Sequence, residues 1–231
     1  QALDKLIAQH PPAVPAMWIQ GLWDQEDMWG AIHCYLELKA KGQVDHNYLV
    51  MGPWRHSQVN YDAYNLGPLK WDGDTALQFR RDVLKPFFDQ YLKTSAPRAN
   101  TPPVFIYNTG ENHWDRLKSW PLACKNGCSA PMKPLFLQEN FGLSFDLPQP
   151  NTAAADSYVS DPAKPVPYLQ VPVHMGDSDR WKTWLVQDQR YAADRTDVLS
   201  YQTPVLTSPV RVSGAPVADL WASTSGTDAD W

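Results

Sequence analysis

Three carboxylates and one histidine carry the chemistry this sequence can do. Asp24, Glu26 and Asp27 crowd the stretch Gly21-Leu22-Trp23-Asp24-Gln25-Glu26-Asp27-Met28-Trp29-Gly30, and His56 closes the run Gly52-Pro53-Trp54-Arg55-His56. Asp24 and His56 lie 32 residues apart, each just after an apolar run that reads as a parallel strand. An acid after one late strand and a histidine after the next is the order in which α/β-hydrolases place two members of a Ser-acid-His triad. There the histidine takes the nucleophile's proton, while the buried acid fixes its tautomer and stabilises the imidazolium. A plainer reading fits the spacing too: Asp24 caps a helix and His56 is one loop histidine among six. Glu26 and Asp27 are open to two explanations as well. Acids in the first turn of a helix oppose its macrodipole, worth about 0.3–1 kcal/mol each. Packed carboxylates also raise one another's pKa, and a cationic guest relieves that repulsion. His33, on a helix, His46, in a turn, and His113, in an aromatic-polar segment, read as structural.

The elements that must position these groups follow from periodicity. Ala16-Met17-Trp18-Ile19 predicts a buried strand over 15–20 that runs into the acidic turn. Met28, Trp29, Ile32, Tyr35 and Leu36 recur at helical spacing, so a helix is expected directly after the acids, with Gly42 as its stop. Tyr48-Leu49-Val50-Met51 predicts the next strand, ending at Gly52-Pro53. Strand, helix, strand is a parallel βα unit. In such folds strand C-termini and helix N-termini open onto one crevice. Ahead of this unit, Leu3, Leu6 and Ile7 share one face of a short helix stopped by Pro11-Pro12. Behind it, Asp74 is placed to cap a long amphipathic helix carrying Leu77, Val83, Leu84, Phe87, Phe88, Tyr91 and Leu92, with a kink or break at Pro86.

From Pro97 the character changes. Fifteen of the 21 prolines lie there, and helical periodicity gives way to short apolar runs at 104–107, 135–137, 171–173, 205–206, 210–212 and 220–222. Turn residues separate these runs, as in an antiparallel sandwich. A domain boundary is therefore expected near residues 94–102.

Bulk properties exclude some partners. The 231 residues, 43% hydrophobic and 19% charged, can bury a sizeable core. A net charge of −5 gives no basic footprint for nucleic acid or an anionic membrane. No apolar run approaches the roughly 20 residues needed to span a bilayer. The 11 Trp and 10 Tyr suit an aromatic pocket with a polar rim, although core packing must account for most of them. Cys34 reads as a buried thiol. Cys124-Lys125-Asn126-Gly127-Cys128 favours a small disulfide in an oxidising compartment. The alternative is half of a zinc site, and no second Cys/His pair with ligand spacing accompanies it.

A nucleophile elbow does not occur. The nearest approaches to Gly-x-Ser-x-Gly are Gly142-Leu143-Ser144 and Gly176-Asp177-Ser178, both in the β-rich part. The elbow must precede the acid in chain order. On the triad reading the serine is thus expected upstream of Gln1.

Four pieces of sequence together point to a known family: Gly21-Leu22-Trp23-Asp24-Gln25-Glu26-Asp27, Gly52-Pro53-Trp54-Arg55-His56-Ser57-Gln58, Tyr107-Asn108-Thr109-Gly110-Glu111-Asn112, and the tail Ser223-Thr224-Ser225-Gly226-Thr227-Asp228-Ala229-Asp230-Trp231. Through them the chain resembles the α-amino acid ester hydrolases, bacterial relatives of cocaine esterase and the X-prolyl dipeptidyl aminopeptidases. The resemblance implies an α/β-hydrolase domain with a helical cap, followed by an all-β jelly roll. Residues 1–97 would be the end of the cap and the C-terminal part of the hydrolase domain, and residues 98–231 the first part of the jelly roll. It implies Asp24 as triad acid, His56 as triad base, and Glu26 and Asp27 as members of a carboxylate cluster that binds a substrate's α-ammonium group. The nucleophile, the third cluster carboxylate and an oxyanion-hole tyrosine would lie in the part upstream. No cofactor and no metal are implied. The expected partners are small α-amino acid esters and β-lactams with an α-amino side chain, and the expected assembly is a homotetramer in the periplasm or outside the cell, which agrees with a Cys124–Cys128 disulfide.

Two other functions compete. A general esterase or acylase of the cocaine esterase type would share the triad without the acidic cluster. A non-catalytic β-sandwich that binds carbohydrate or protein would use Trp181 and Trp184. Because acid and base without a nucleophile cannot form an acyl-enzyme, the 231-residue chain by itself is expected to hydrolyse no ester. Turnover of a phenylglycine ester by that chain would put the nucleophile among these residues.

Overall fold

The computed structural model describes residues 3–124, 130–149, 155–169, 172, 174 and 178–227. The chain divides into two compact units, Gln1–Ser119 with Val173–Gln187, and Trp120–Pro172 with Asp188–Trp231.

The first unit is built on a four-stranded mixed sheet. Helix α1 (Leu3–Gln9) is followed by β1 (Ala16–Trp23), α2 (Gly30–Ala40) and β2 (Asn47–Arg55). Two short strands, β3 (Asn65–Leu66) and β4 (Leu69–Lys70), pair as a hairpin before α3 (Thr75–Phe79) and α4 (Lys85–Leu92). The strands β5 (Val104–Asn108) and β6 (His113–Leu117) complete the sheet in the order β1-β2-β5-β6. The first three are parallel and β6 is antiparallel to β5. The predicted βα unit is thus present. Strand β2, flanked on both sides, is buried almost throughout, whereas the edge strand β1 is only half-buried. That contrast follows the general rule that interior parallel strands read as continuous apolar runs.

The run at Val104, expected to open a sandwich, instead extends the sheet of this unit. Val104, Phe105 and Ile106 pair with Leu49, Val50 and Met51. Phe105 also stacks on Trp114 of β6 at 4.3 Å. The core gathers Val50, Trp54, Ala63, Ala76, Phe79, Val83 and Phe105.

Several local expectations hold. Asp74 Oδ1 accepts the N–H groups of Ala76 and Leu77, the N-cap arrangement, and that of Ala63 as well. Gly42 ends α2 with φ +69, a conformation open to glycine at little strain. In place of a break at Pro86, helical backbone continues from Thr75 to Leu92 through a π-helical turn, Arg80–Leu84, that joins α3 to α4. A proline has no N–H to give to the carbonyl four residues back, and a widened turn accommodates that loss.

Others do not hold. Helix α1 buries Asp4 and Ala8, while Leu3 and Leu6 are exposed. Helix α2 starts at Gly30, so Met28 and Trp29 precede it and are exposed; its buried face is Cys34, Tyr35 and Leu38. Cys34 is a free, buried thiol, and burial followed by the Asp4 carboxylate pushes its pKa up.

The second unit contains two-stranded pairings: β7 (Ala123–Cys124) with β8 (Ala130–Pro131), and β9 (Phe136–Gln138) with β10 (Gly142–Ser144). The expected run at 135–137 appears as β9. Runs 205–206, 210–212 and 220–222 form no strand, and Val205 and Trp221 are fully exposed. A strand has no stability of its own without a paired neighbour and a covered face. The run at 171–173 falls largely outside the described residues, as do Cys128 and the side chain of Cys124, so their pairing does too.

Two glycines hold the strand ends that matter for the site. Gly21 and Gly52 face each other across β1 and β2. A Cβ on Gly21 would stand 2.6 Å from the Trp54 carbonyl oxygen, and one on Gly52 would run into the Trp54 indole itself. That indole is buried, with Nε1 donating to Thr75 Oγ1 at 3.0 Å, and so has nowhere to move. Gly52→Ala is expected to destabilise the first unit by about 1–3 kcal/mol, read as a lower urea midpoint.

Candidate active site

The register of β1 against β2 puts the acid and the histidine side by side. Partners are 31 residues apart from Ala16↔Asn47 to Gly21↔Gly52, and 32 apart at Trp23↔Arg55. The shift adds one residue on the β2 side, at Pro53-Trp54, where a proline without an N–H breaks the ladder. A slip of one residue changes which side chains face each other. With the bulge, the residue after Trp23 meets the residue after Arg55: Asp24 meets His56.

His56 Nδ1 lies 3.1 Å from Asp24 Oδ1 and 3.2 Å from Oδ2. An ionised carboxylate only accepts, so Nδ1 carries the proton and the neutral ring leaves Nε2 as an acceptor. Asp24 is 8% exposed, and its Oδ1 also accepts the backbone N–H groups of Glu26 and Asp27, both at 2.9 Å. The capping and triad readings of Asp24 therefore merge in part. The same oxygen that orders the turn receives the histidine, although the turn is not the start of a helix.

Glu26 and Asp27 flank the imidazole on its open side. Glu26 Oε2 stands 3.6 Å from Nε2, and Asp27 Oδ2 3.6 Å from Nδ1, with side chains 55% and 72% exposed. Since α2 begins at Gly30, neither lies in its first turn. The macrodipole explanation thus loses its basis, because that effect is confined to the terminal turn. Three carboxylates converge on one half-exposed ring. Asp24, Asp27 and His56 offer ligand atoms within 4.8 Å of one another, close enough for a cation; as they stand, the histidine nitrogen nearest both acids is the protonated one.

The Asp24 hydrogen bond is the main cause that raises the His56 pKa above its ordinary 6.5; burial opposes it, and the charges of Asp24, Glu26 and Asp27 each add a smaller upward effect. What this pairing adds to stability is fully present below the ordinary imidazole value and is lost as pH climbs through the higher folded one.

The other predicted residues are not in this group. His33 stacks on Trp29 at 3.3 Å, His46 sits in a turn with φ 64, and His113 pairs with Asp115 on β6. Trp184 is half-buried in a 3-10 turn rather than exposed, and nothing is described of the Trp181 side chain. Unforeseen were the groups that hold the loop behind His56. Arg55 Nη1 donates to the His56 carbonyl at 3.2 Å, and Arg80 Nη1 donates to the carbonyls of Val59 and Tyr61 at 2.5 and 2.7 Å. Nothing in an arginine on an amphipathic helix marks such a role.

A mixed, mainly parallel sheet with a buried acid at one strand end, bonded to a histidine at the next, defines the C-terminal part of an α/β-hydrolase-type domain. Residues 2–58 match the X-Pro dipeptidyl-peptidase (S15 family), and residues 98–231 match the X-Pro dipeptidyl-peptidase C-terminal non-catalytic domain. The chain belongs to this S15 X-Pro dipeptidyl-peptidase family. It is 33% identical over 232 residues to the cocaine esterase of Rhodococcus sp. (strain MB1 Bresler), an alignment covering 96% of this chain and 37% of the esterase. A solved α-amino acid ester hydrolase superposes with TM-score 0.87 at 60% identity, over 93% of this chain and 35% of that one. An aminopeptidase from the marine sediment archaeon Thaumarchaeota archaeon superposes with TM-score 0.75 at 44% identity, over 86% and 32%. The chain thus spans about a third of the length of these relatives.

The electrostatics have a direct readout. His56 is expected to titrate above the usual imidazole range by NMR, to fall most in Asp24→Asn, and to fall less in Glu26→Gln or Asp27→Asn. A titration unmoved by Asp24→Asn would contradict the order of causes given above.

Proposed function

We propose that the intact protein is a serine hydrolase acting on esters and amides of α-amino acids through an acyl-enzyme, with Asp24 as triad acid and His56 as general base. One observation carries this reading: a buried carboxylate holds His56 Nδ1 at 3.1 Å while two exposed carboxylates face the same ring. The first contact leaves Nε2 ready to take a nucleophile's proton. The second makes a negative pocket beside the reacting centre, suited to an ammonium group. Two of the relatives are named for substrates with a free amino group, an α-amino acid ester hydrolase and an aminopeptidase, and both are more similar to this chain than the cocaine esterase is.

On this reading Glu26 and Asp27 take the substrate's α-ammonium, His56 moves the proton on and off the nucleophile and leaving group, and water or an amine accepts the acyl group. Use of a β-lactam nucleus as the accepting amine, a jelly-roll second domain, a tetrameric assembly and export from the cytoplasm belong to the same proposal. No helix among the described residues is long and apolar enough to cross a membrane.

The test uses the intact enzyme and a matched pair of substrates, a phenylglycine ester and its des-amino analogue. Asp24→Asn is expected to lower kcat on both by roughly four orders of magnitude, the loss seen when a triad histidine has the wrong tautomer. Glu26→Gln and Asp27→Asn should impair the amino ester and mainly spare the des-amino one. Equal losses on both esters would favour the general esterase and remove the ammonium pocket.

A further inference from the structure

We propose that Gln58 is a positioning residue for His56, fixing where the imidazole stands against Asp24; this rests on the reading of His56 as the catalytic base. Gln58 is 7% exposed although it follows an exposed serine in a surface turn. Its Oε1 accepts the backbone N–H of Arg55 at 3.2 Å, the residue immediately before His56. Its Nε2 donates to the carbonyl of Asn65 at 3.0 Å and that of Asp62 at 3.4 Å. One side chain therefore ties the last residue of β2 to the first residue of β3, with His56 inside the span.

The backbone between those anchors needs such a tie. Ser57 adopts φ 59, a left-handed conformation in which a non-glycine residue is strained. Strain of this kind persists only where the surroundings over-determine it. Left to relax, Ser57 would carry the neighbouring His56 away from Asp24. Arg80 holds the far side of the turn through Val59 and Tyr61, and its contacts do not touch the Arg55–His56 side. Among the described residues, the Gln58 side chain bonds on both sides of His56.

The chemistry of the amide is specific to the task. The tie needs an acceptor for one N–H and donors for two carbonyls on a single planar group, which a glutamine offers in full. Leucine offers neither. An ionised glutamate keeps the acceptor alone.

In the intact enzyme, Gln58→Leu and Gln58→Glu are compared with wild type for kcat, KM, thermal melting and the downfield proton resonance of the His56 Nδ1–H bonded to Asp24. Gln58→Leu is expected to lose or shift that resonance and to lower kcat about 100-fold, the scale of a misplacement of roughly 1 Å, with KM little changed. Gln58→Glu is expected to fall between it and wild type. A folded Gln58→Leu with the resonance in place and kcat within about two-fold of wild type overturns the proposal. If Gln58→Leu does not melt cooperatively, Gln58→Glu decides: wild-type kcat and resonance overturn it, and intermediate values support it. Failure of the underlying reading looks different, since His56→Ala would then retain turnover while Gln58→Leu still moved the resonance.

Discussion

One oxygen atom organises the candidate site. Asp24 Oδ1 accepts two backbone N–H groups of its own turn and the imidazole of His56. A carboxylate this buried is tolerated only when its lone pairs are met. The turn that follows β1 is therefore shaped by the need to point the N–H groups of residues 26 and 27 inward at one side chain. A consequence is that the side chains of Glu26 and Asp27 are turned outward, toward the open side of the ring. Acid, turn and outer carboxylates are thus one device rather than three features.

That device sits where it does because of a local defect. A regular parallel ladder continued from Gly21↔Gly52 would have set Asp24 opposite Arg55. The extra residue at Pro53-Trp54 moves the histidine into place, and the buried Trp54 indole, bonded to Thr75 and packed on Phe79 and Trp114, keeps the bulge from sliding. Gly21 and Gly52 are the residues small enough to let this happen. The placement of the pair therefore depends on a tryptophan of the hydrophobic core. The field around the pair has its own effect: the negative charge of the three carboxylates favours the imidazolium.

Parts of this were legible in the chain and parts were not. The cap at Asp74 and the stop at Gly42 depend on single residue types and neighbours three or four positions away, and each could be read directly. The start of α2 could not. Met28 and Trp29 fit the helical period, yet the chain up to Trp29 is given over to the Asp24 turn and its outward acids. The buried side of α1 is hidden from the sequence for a related reason. Leu3 and Leu6 are more apolar than Asp4 and Ala8, and only the packing of α1 on α2 decides which face turns inward. The runs at 205–206, 210–212 and 220–222 have the composition of strands, but pairing is a property of two segments and composition describes one.

By itself the sequence determined which residues can do chemistry, the order in which they come, and the strands that deliver them. Those facts rest on residue type, alternation and spacing, which a linear chain carries in full. The tertiary structure alone decided that Asp24 and His56 touch, that Glu26 and Asp27 face the ring instead of capping a helix, and that Gln58, Trp54 and Arg80 hold the loop. Each of these depends on a one-residue register shift and on contacts between residues far apart in the chain. Such long-range distances are set by packing, and no local pattern encodes them.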